Sequence, residues 1–406
     1  MVRFRDGNVG RPYLRPVPLA HTVFITCSNS RMAEHLSDRE RSPIGIPGFA
    51  TNPGTSRYAS RFRSSFCPDF YRSIGGELTV SSIGMGTYLG ECDDGEDTRY
   101  SEAITDGVRR GLNLVDTAVN YRCQRSERAV GRALRQVVES GLAARDEIVV
   151  CTKGGFIPLD GEPPSSRDGY DRFLREQYFD RGVMSPDDVV AGGHCLTPGF
   201  LADQIERSLR NLDVACIDVY YLHNPEHHAT SLDGARFRAA LAEAFRVLEE
   251  QASRDRISFY GCATWDGFRI ASARRGHLSL EEIVSVAREV GGDGHRFRII
   301  QLPLNLAMNE AIRSPTQKLG ATEVPLLEAA VELGVTVVGS ASLMQAQLTK
   351  DLPAELRNAF PGLRTDAQRA LAFARSLPVA SALVGMRSTA HIRENLGAAA
   401  TTTRET

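Results

Sequence analysis

Eight apolar, β-branched segments alternate with amphipathic ones from about residue 70 onward, and the ionisable residues that interrupt them cluster where the apolar segments run out. These two observations predict an α/β fold, a (β/α)8 TIM barrel preceded by an N-terminal β-hairpin and an irregular N-terminal arm. Strands that are apolar on both faces suit a parallel sheet covered by helices, and a parallel barrel gathers its polar side chains at the C-terminal ends of its strands. A doubly wound open sheet is the alternative, because a linear pattern does not count closure.

The first 65 residues carry ten arginines against four acids, with prolines, glycines and no sustained period. They read as an irregular extension, with a barrel domain over 66–400. PVPLAHTVFITC is broken by His21 and two threonines and has no A-x-A site after it, so it does not read as a signal core. Met32 offers a second start, and on that reading 1–31 is an over-long start. YRSIGGELTV then turns at Gly75 and Gly76 as a hairpin leading into the barrel. Strands follow at 79–85, 112–116, 147–152, 216–222, 257–263, 298–302, 335–340 and 380–385. Helices are expected at 98–110, 124–140, 198–211, 233–252, 279–290, 323–333 and 365–376. In LADQIERSLRNL, Leu201, Ile205, Leu209 and Leu212 share one face, and Thr197-Pro198 reads as an N-cap followed by a proline in the first turn.

Composition narrows the function classes. The 406 residues have a formal net charge of -2, 42% hydrophobic and 24% charged residues, which suits a globular protein and gives no field to recruit nucleic acid or an anionic membrane. No apolar run reaches the ~18 residues that a membrane span needs. Eight cysteines are scattered without a CxxC pair. They read as reduced thiols in a cytoplasmic protein. GGHC, ending at Cys195, offers two ligands without a second pair, so no metal is assigned.

Four polar residues stand out. Asp116 and Tyr121 close GLNLVDTAVNY, Lys153 closes DEIVVCTKGG, and His223 closes ACIDVYYLHNP. Singly, each has an ordinary reading as a turn cap, a packing ring or a satisfied histidine; together, at successive strand ends, they suggest chemistry. A carbonyl accepts a hydride when its oxygen is stabilised as charge develops. Tyr121 can donate the proton. Its ordinary pKa of ~10 would be lowered by an adjacent ammonium, for which Lys153 is the candidate. A buried lysine needs a carboxylate, and Asp116 ends the neighbouring strand. His223 would orient the carbonyl.

VDTAVNY with RSERAVGRAL, VVCTKGG, YYLHNPE, IIQLPLN and GMRSTAHIRENL, in this order, resemble the aldo-keto reductases over roughly residues 70–396. The resemblance implies a (β/α)8 barrel, NADP(H)-dependent interconversion of carbonyls and alcohols with NAD(H) as the other cofactor, and catalytic roles for Asp116, Tyr121, Lys153 and His223. It assigns Arg387, Ser388, Glu394 and Asn395 to the adenosine phosphate, with His391 where an arginine is often found, and Gln301 to the nicotinamide carboxamide. The usual Ser-Asn pair appears as Ala263-Thr264, and Ser340 replaces the aromatic residue under the nicotinamide. Thr264 and Ser340 therefore mark a reshaped cofactor cradle.

GMGTYLG has the wrong spacing for a dinucleotide fingerprint, and its glycines read as a tight strand exit. Tyr88 in that exit and Trp265 after the 257–263 strand are placed in the substrate pocket. The stretch 156–196 is long for a βα loop and is read as a substrate lid or a surface excursion. A small carbonyl or alcohol is the expected partner. A cofactor-sensing regulatory module on the same barrel, or a barrel isomerase or lyase that uses no nicotinamide, are the other readings.

Overall fold

The computed structural model of the chain describes residues 45–161 and 163–400. The expectations for residues 1–44, including the over-long start at 1–31, lie outside the described residues. The strands are β1 (Tyr71–Ile74), β2 (Leu78–Ser81), β3 (Ile83–Gly86), β4 (Leu114–Asp116), β5 (Val149–Gly154), β6 (Ile217–His223), β7 (Ile257–Ala263), β8 (Phe297–Pro303), β9 (Gln317–Leu319), β10 (Thr322–Val324), β11 (Thr336–Ser340) and β12 (Ser381–Gly385). Eight of them close into a barrel in the order β3, β4, β5, β6, β7, β8, β11, β12 and back to β3. Every neighbouring pair is parallel. Closure thus settles the choice between barrel and open sheet.

A helix follows each barrel strand: Asp94–Arg109, Arg125–Glu139, Pro198–Leu212, Gly234–Ser253, Leu280–Gly291, Leu326–Glu332, Asp366–Arg375 and Thr389–Leu396. Leu201, Ile205, Leu209 and Leu212 face inward as their spacing requires. Thr197 occupies the N-cap position with extended backbone, yet its side chain does not cap the helix. Its hydroxyl lies 3.2 Å from Cys195 Sγ instead. Apolar side chains fill two layers, one between strands and helices and one inside the barrel, where Leu114, Val149, Val219, Tyr221, Ile299 and Val338 meet.

β1 and β2 pair antiparallel around Gly75 and Gly76, whose φ of +64° and +79° is the left-handed conformation the turn demands. Ile74, Leu78 and Val80 of this hairpin join the interior layer, so the hairpin is the floor of the barrel. Beside it a buried ion pair joins Arg145 and Asp218 at 2.9 Å. Asp218 also accepts from Ala50 N at 2.6 Å and Val150 N at 2.7 Å.

Three stretches differ from expectation. Asn52–Phe62, inside the segment read as irregular, is a helix. Thr51 caps it by accepting from Gly54 N, and Tyr58 is buried, donating to Val108 O at 2.5 Å and Leu112 O at 3.0 Å. Its many polar residues hide it in the sequence; packing against the barrel holds it. The 156–196 stretch is likewise folded, with a helix at Arg167–Leu174, a π turn at Arg175–Phe179 and an apolar cluster of Ile157, Leu174, Tyr178, Met184, Cys195 and Phe200. The helix expected at 323–333 begins at Leu326, because Thr322–Val324 pairs with Gln317–Leu319 in a second hairpin.

Candidate active site

Parallel strands that end together deliver their last side chains to one rim. In register, Asp116 of β4 lies beside Cys151 of β5, Lys153 beside Tyr221 of β6, and His223 beside Ala263 of β7. Lys153 Nζ reaches Asp116 Oδ1 at 2.5 Å and Thr117 O at 2.8 Å. The pair is almost wholly buried. Tyr121 stands just beyond β4, its ring centroid 5.0 Å from Lys153 Nζ and 5.8 Å from the His223 ring. The four residues singled out from the sequence are one cluster.

Electrostatics refines the expected tuning. Burial, the largest influence on Tyr121, pushes its phenol above the usual value; Lys153 pulls it down but does not win. The expectation of a lowered tyrosine is therefore corrected: the ammonium moderates a rise. Burial pulls Lys153 down as well, yet Asp116 and Tyr121 more than offset it and hold the ammonium above the ordinary lysine value. For His223, burial comes first and the Lys153 charge second, and both hold the imidazole well below its normal pKa. At neutral pH the cluster thus presents a protonated phenol, an ammonium locked to a carboxylate, and a neutral imidazole. That combination can hand one proton to a nascent alkoxide and stabilise the phenolate left behind.

The rim holds further groups. Gln301 Nε2 donates to Asp116 Oδ2 at 2.7 Å, across the barrel from β8 to β4. Tyr88 packs edge-on to Tyr121 at 5.0 Å. Phe156, at the start of the long insertion, packs edge-on to His223 at 5.0 Å and to His227 at 5.4 Å. His194 of the GGHC segment lies 2.6 Å from His223 O through its Nε2. Ser340 ends β11, and the hydroxyls of Thr264, Thr117 and Ser342 are buried without a hydrogen-bond partner among the described residues. Ser342 escaped the sequence reading, although it follows Ser340 by two residues. Trp265 is exposed; its backbone N–H and that of Asp266 are held by Glu226 Oε1 at 2.6 and 3.2 Å. Glu226, also missed, is a buried carboxyl that burial pushes up to about 7 against those amides.

The proposed phosphate segment lies after β12. Ser388 caps helix Thr389–Leu396 by accepting from His391 N. Asn395 is buried, and Glu394 O accepts from Gln368 Nε2 at 2.8 Å. Arg387 is half exposed and pairs with the buried Glu96 at 3.2 Å, a partner not visible in the linear pattern.

A model of the Aldo/keto reductase family matches residues 82–289. Among curated proteins, the NADH-specific methylglyoxal reductase of Escherichia coli (strain K12) is 28% identical over 199 residues, covering 48% of this chain and 51% of that protein. The D-threo-aldose 1-dehydrogenase of a Pseudomonas species is 31% identical over 173 residues, covering 43% and 45%. The chain thus spans about half the length of the curated relatives it matches. An aldo/keto reductase from Klebsiella pneumoniae, solved with NADP and acetate, superposes with a TM-score of 0.54 at 20% identity over 82% of this chain and 91% of its own. The holo form of an aldo-keto reductase from Bacillus halodurans gives 0.53 at 19% identity over 82% and 92%. At such identities these structures establish the shared barrel.

Proposed function

Because the chain belongs to the aldo/keto reductase family, we propose that it is an NAD(P)H-dependent oxidoreductase that interconverts a small carbonyl and the corresponding alcohol. The observation that carries this reading is the Tyr121 ring 5.0 Å from an ammonium that is itself bonded to Asp116 at 2.5 Å. When bound, the nicotinamide would supply or accept the hydride. Tyr121, kept protonated by burial, gives its proton to the carbonyl oxygen and takes it back in the reverse direction. Lys153 stabilises the phenolate formed, and Asp116 keeps Lys153 charged. Gln301 steadies Asp116 through its amide. His223, neutral, orients the carbonyl without competing for the proton.

The residues present fit a nicotinamide dinucleotide. The orphaned hydroxyls of Thr264 and Ser342 offer partners to a carboxamide, with Gln301 and Ser340 beside them. Arg387 and Ser388 would take the adenosine phosphate at the helix start, and Glu394 and Asn395, in the last turn of the same helix, would offer polar partners to the rest of the adenosine. NADP(H) is the cofactor favoured by Arg387, and NAD(H) is the other candidate because Glu96 already neutralises part of that charge. Tyr88 and Trp265 would line the substrate entrance. The matched relatives suggest dicarbonyls such as methylglyoxal and aldoses as the first compounds to try. The described cysteines are unpaired, in keeping with a cytoplasmic setting. Among the described residues no helix is long and apolar enough to cross a membrane.

The test is fluorescence titration of NADPH and NADH against the purified protein, then a carbonyl panel. Cofactor binding with turnover of at least one carbonyl is expected, and Tyr121→Phe should keep cofactor binding while losing nearly all turnover. Turnover close to wild type in that variant would overturn the assignment.

A further inference from the structure

The loops that leave β3 and β4 carry one cysteine each. Cys92 Sγ and Cys123 Sγ lie 3.9 Å apart. Both thiols are partly exposed and unpaired. We propose that Cys92 and Cys123 form a reversible disulfide site at the rim of the barrel, and that its closure tightens the pocket entrance and raises the KM for substrate. Nothing in the proton-transfer chemistry of Tyr121 uses these sulfurs.

The geometry favours closure. A disulfide needs its sulfurs about 2 Å apart, so the two loops must approach by only about 2 Å more. They are already fastened side by side, because Arg122 donates to Glu91 O at 2.7 Å and to Asp97 Oδ1 at 2.5 Å. A pre-tied pair of loops has little closure entropy left to lose. Cys123 is the middle of three consecutive left-handed non-glycine residues, Arg122 at φ 50°, Cys123 at 52° and Gln124 at 68°. Such a run persists only where surrounding contacts hold it.

The site also has reach. Tyr88 stands four residues before Cys92, Tyr121 two residues before Cys123, and their rings touch edge-on. On the other side, Cys123 O accepts from Gly161 N at 3.2 Å, and Gln124 Nε2 donates to Leu159 O at 3.1 Å. Drawing Cys123 towards Cys92 therefore pulls on the Tyr88 loop, the Tyr121 loop and the start of the 156–196 insertion together.

The oxidant is a hydroperoxide. Burial, followed by the neighbouring Cys92, pushes the Cys123 thiol up to about 12, and the partly exposed Cys92 is the sulfur that meets the peroxide. The Cys92 thiolate attacks one peroxide oxygen, the O–O bond breaks, and the departing hydroxide is protonated to water, leaving Cys92 as a sulfenic acid. The Cys123 sulfur then attacks the Cys92 sulfur, its proton leaves with the sulfenic hydroxyl as a second water, and the S–S bond forms. Two thiols are oxidised by two electrons, and one hydrogen peroxide is reduced to two waters. Thiol reductants reverse the change by exchange.

The full chain would be treated with hydrogen peroxide, alkylated, and read by intact mass and peptide mapping, with KM and kcat measured before and after. A Cys92–Cys123 cross-link, a mass lower by about 2 Da and two fewer alkylatable thiols are expected. KM should rise about threefold or more with kcat less affected, and dithiothreitol should restore it. Cys92→Ser and Cys123→Ser should each abolish the cross-link and the KM response. A map without this cross-link, or a KM response that persists in Cys92→Ser, would overturn the proposal. The peptide map decides the site even if no carbonyl on the panel is turned over, so its failure is distinguishable from failure of the reductase reading.

Discussion

Replacing Lys153 with methionine removes the cation at the centre of the rim while keeping most of the side-chain volume. The opposing charges are 2.5 Å apart. At an effective dielectric of about 20 their attraction is about 7 kcal/mol, but desolvating each ion costs several kcal/mol, so the intact pair contributes little net stability. Breaking it is another matter. An uncompensated buried carboxylate costs about 3–5 kcal/mol, and the Gln301 amide that still donates to Asp116 places the expected loss at the lower end, about 3 kcal/mol. Turnover should fall about 10²–10⁴-fold, because the phenolate loses its cation. Combining the change with Asp116→Asn removes both charges, and this double variant should recover at least half of the lost stability while staying inactive. Urea denaturation gives the stabilities and steady-state reduction gives kcat. If the two single losses simply add, or if Lys153→Met keeps wild-type turnover, the account of a locked carboxylate and ammonium fails.

Two further outcomes are expected. Glu226 binds its proton more tightly folded than unfolded, with a pKa raised from 4.5 to about 7, so the native state loses stability as pH climbs through that window and levels off above it. Glu226→Gln keeps an acceptor for the Trp265 and Asp266 amides and should flatten the profile, leaving the variant up to about 3 kcal/mol more stable at pH 8; equal urea midpoints for both proteins from pH 4.5 to 8 would contradict this. At the opposite end of the barrel, Asp218→Ala strands the Arg145 guanidinium and the N–H groups of Ala50 and Val150. It should cost about 3–5 kcal/mol with KM unchanged, and a shifted KM at full stability would show that the two ends are coupled.

Much of the fold is legible in the chain because its signals are local. β-branched apolar runs such as Ile217–His223 announce buried strands, and three- and four-residue apolar spacing announces the helices over them. The helix Asn52–Phe62 was hidden because its stability comes from burying Tyr58 rather than from its own residues. The chain marks Gln301 only through its place in IIQLPLN; its bond to Asp116 joins residues 185 positions apart, across a barrel interior that no linear pattern contains. Glu226 and Ser342 passed unnoticed because a carboxyl after LHNP or a serine in a strand exit is unremarkable until burial leaves it without solvent.

The chain alone set which segments become strands and helices and which residues stand at the strand ends, since continuous apolar β-branched runs and apolar spacing of three and four mark the two kinds of element. It thereby determined that Asp116, Lys153 and His223 share a rim, with Tyr121 one turn beyond. Tertiary structure alone decided that the sheet closes, that burial outweighs Lys153 at Tyr121, that Arg387 meets Glu96, and that Cys92 and Cys123 stand 3.9 Å apart. Each of these is a matter of distance and desolvation between segments remote in the chain, and neither quantity exists until the chain has folded.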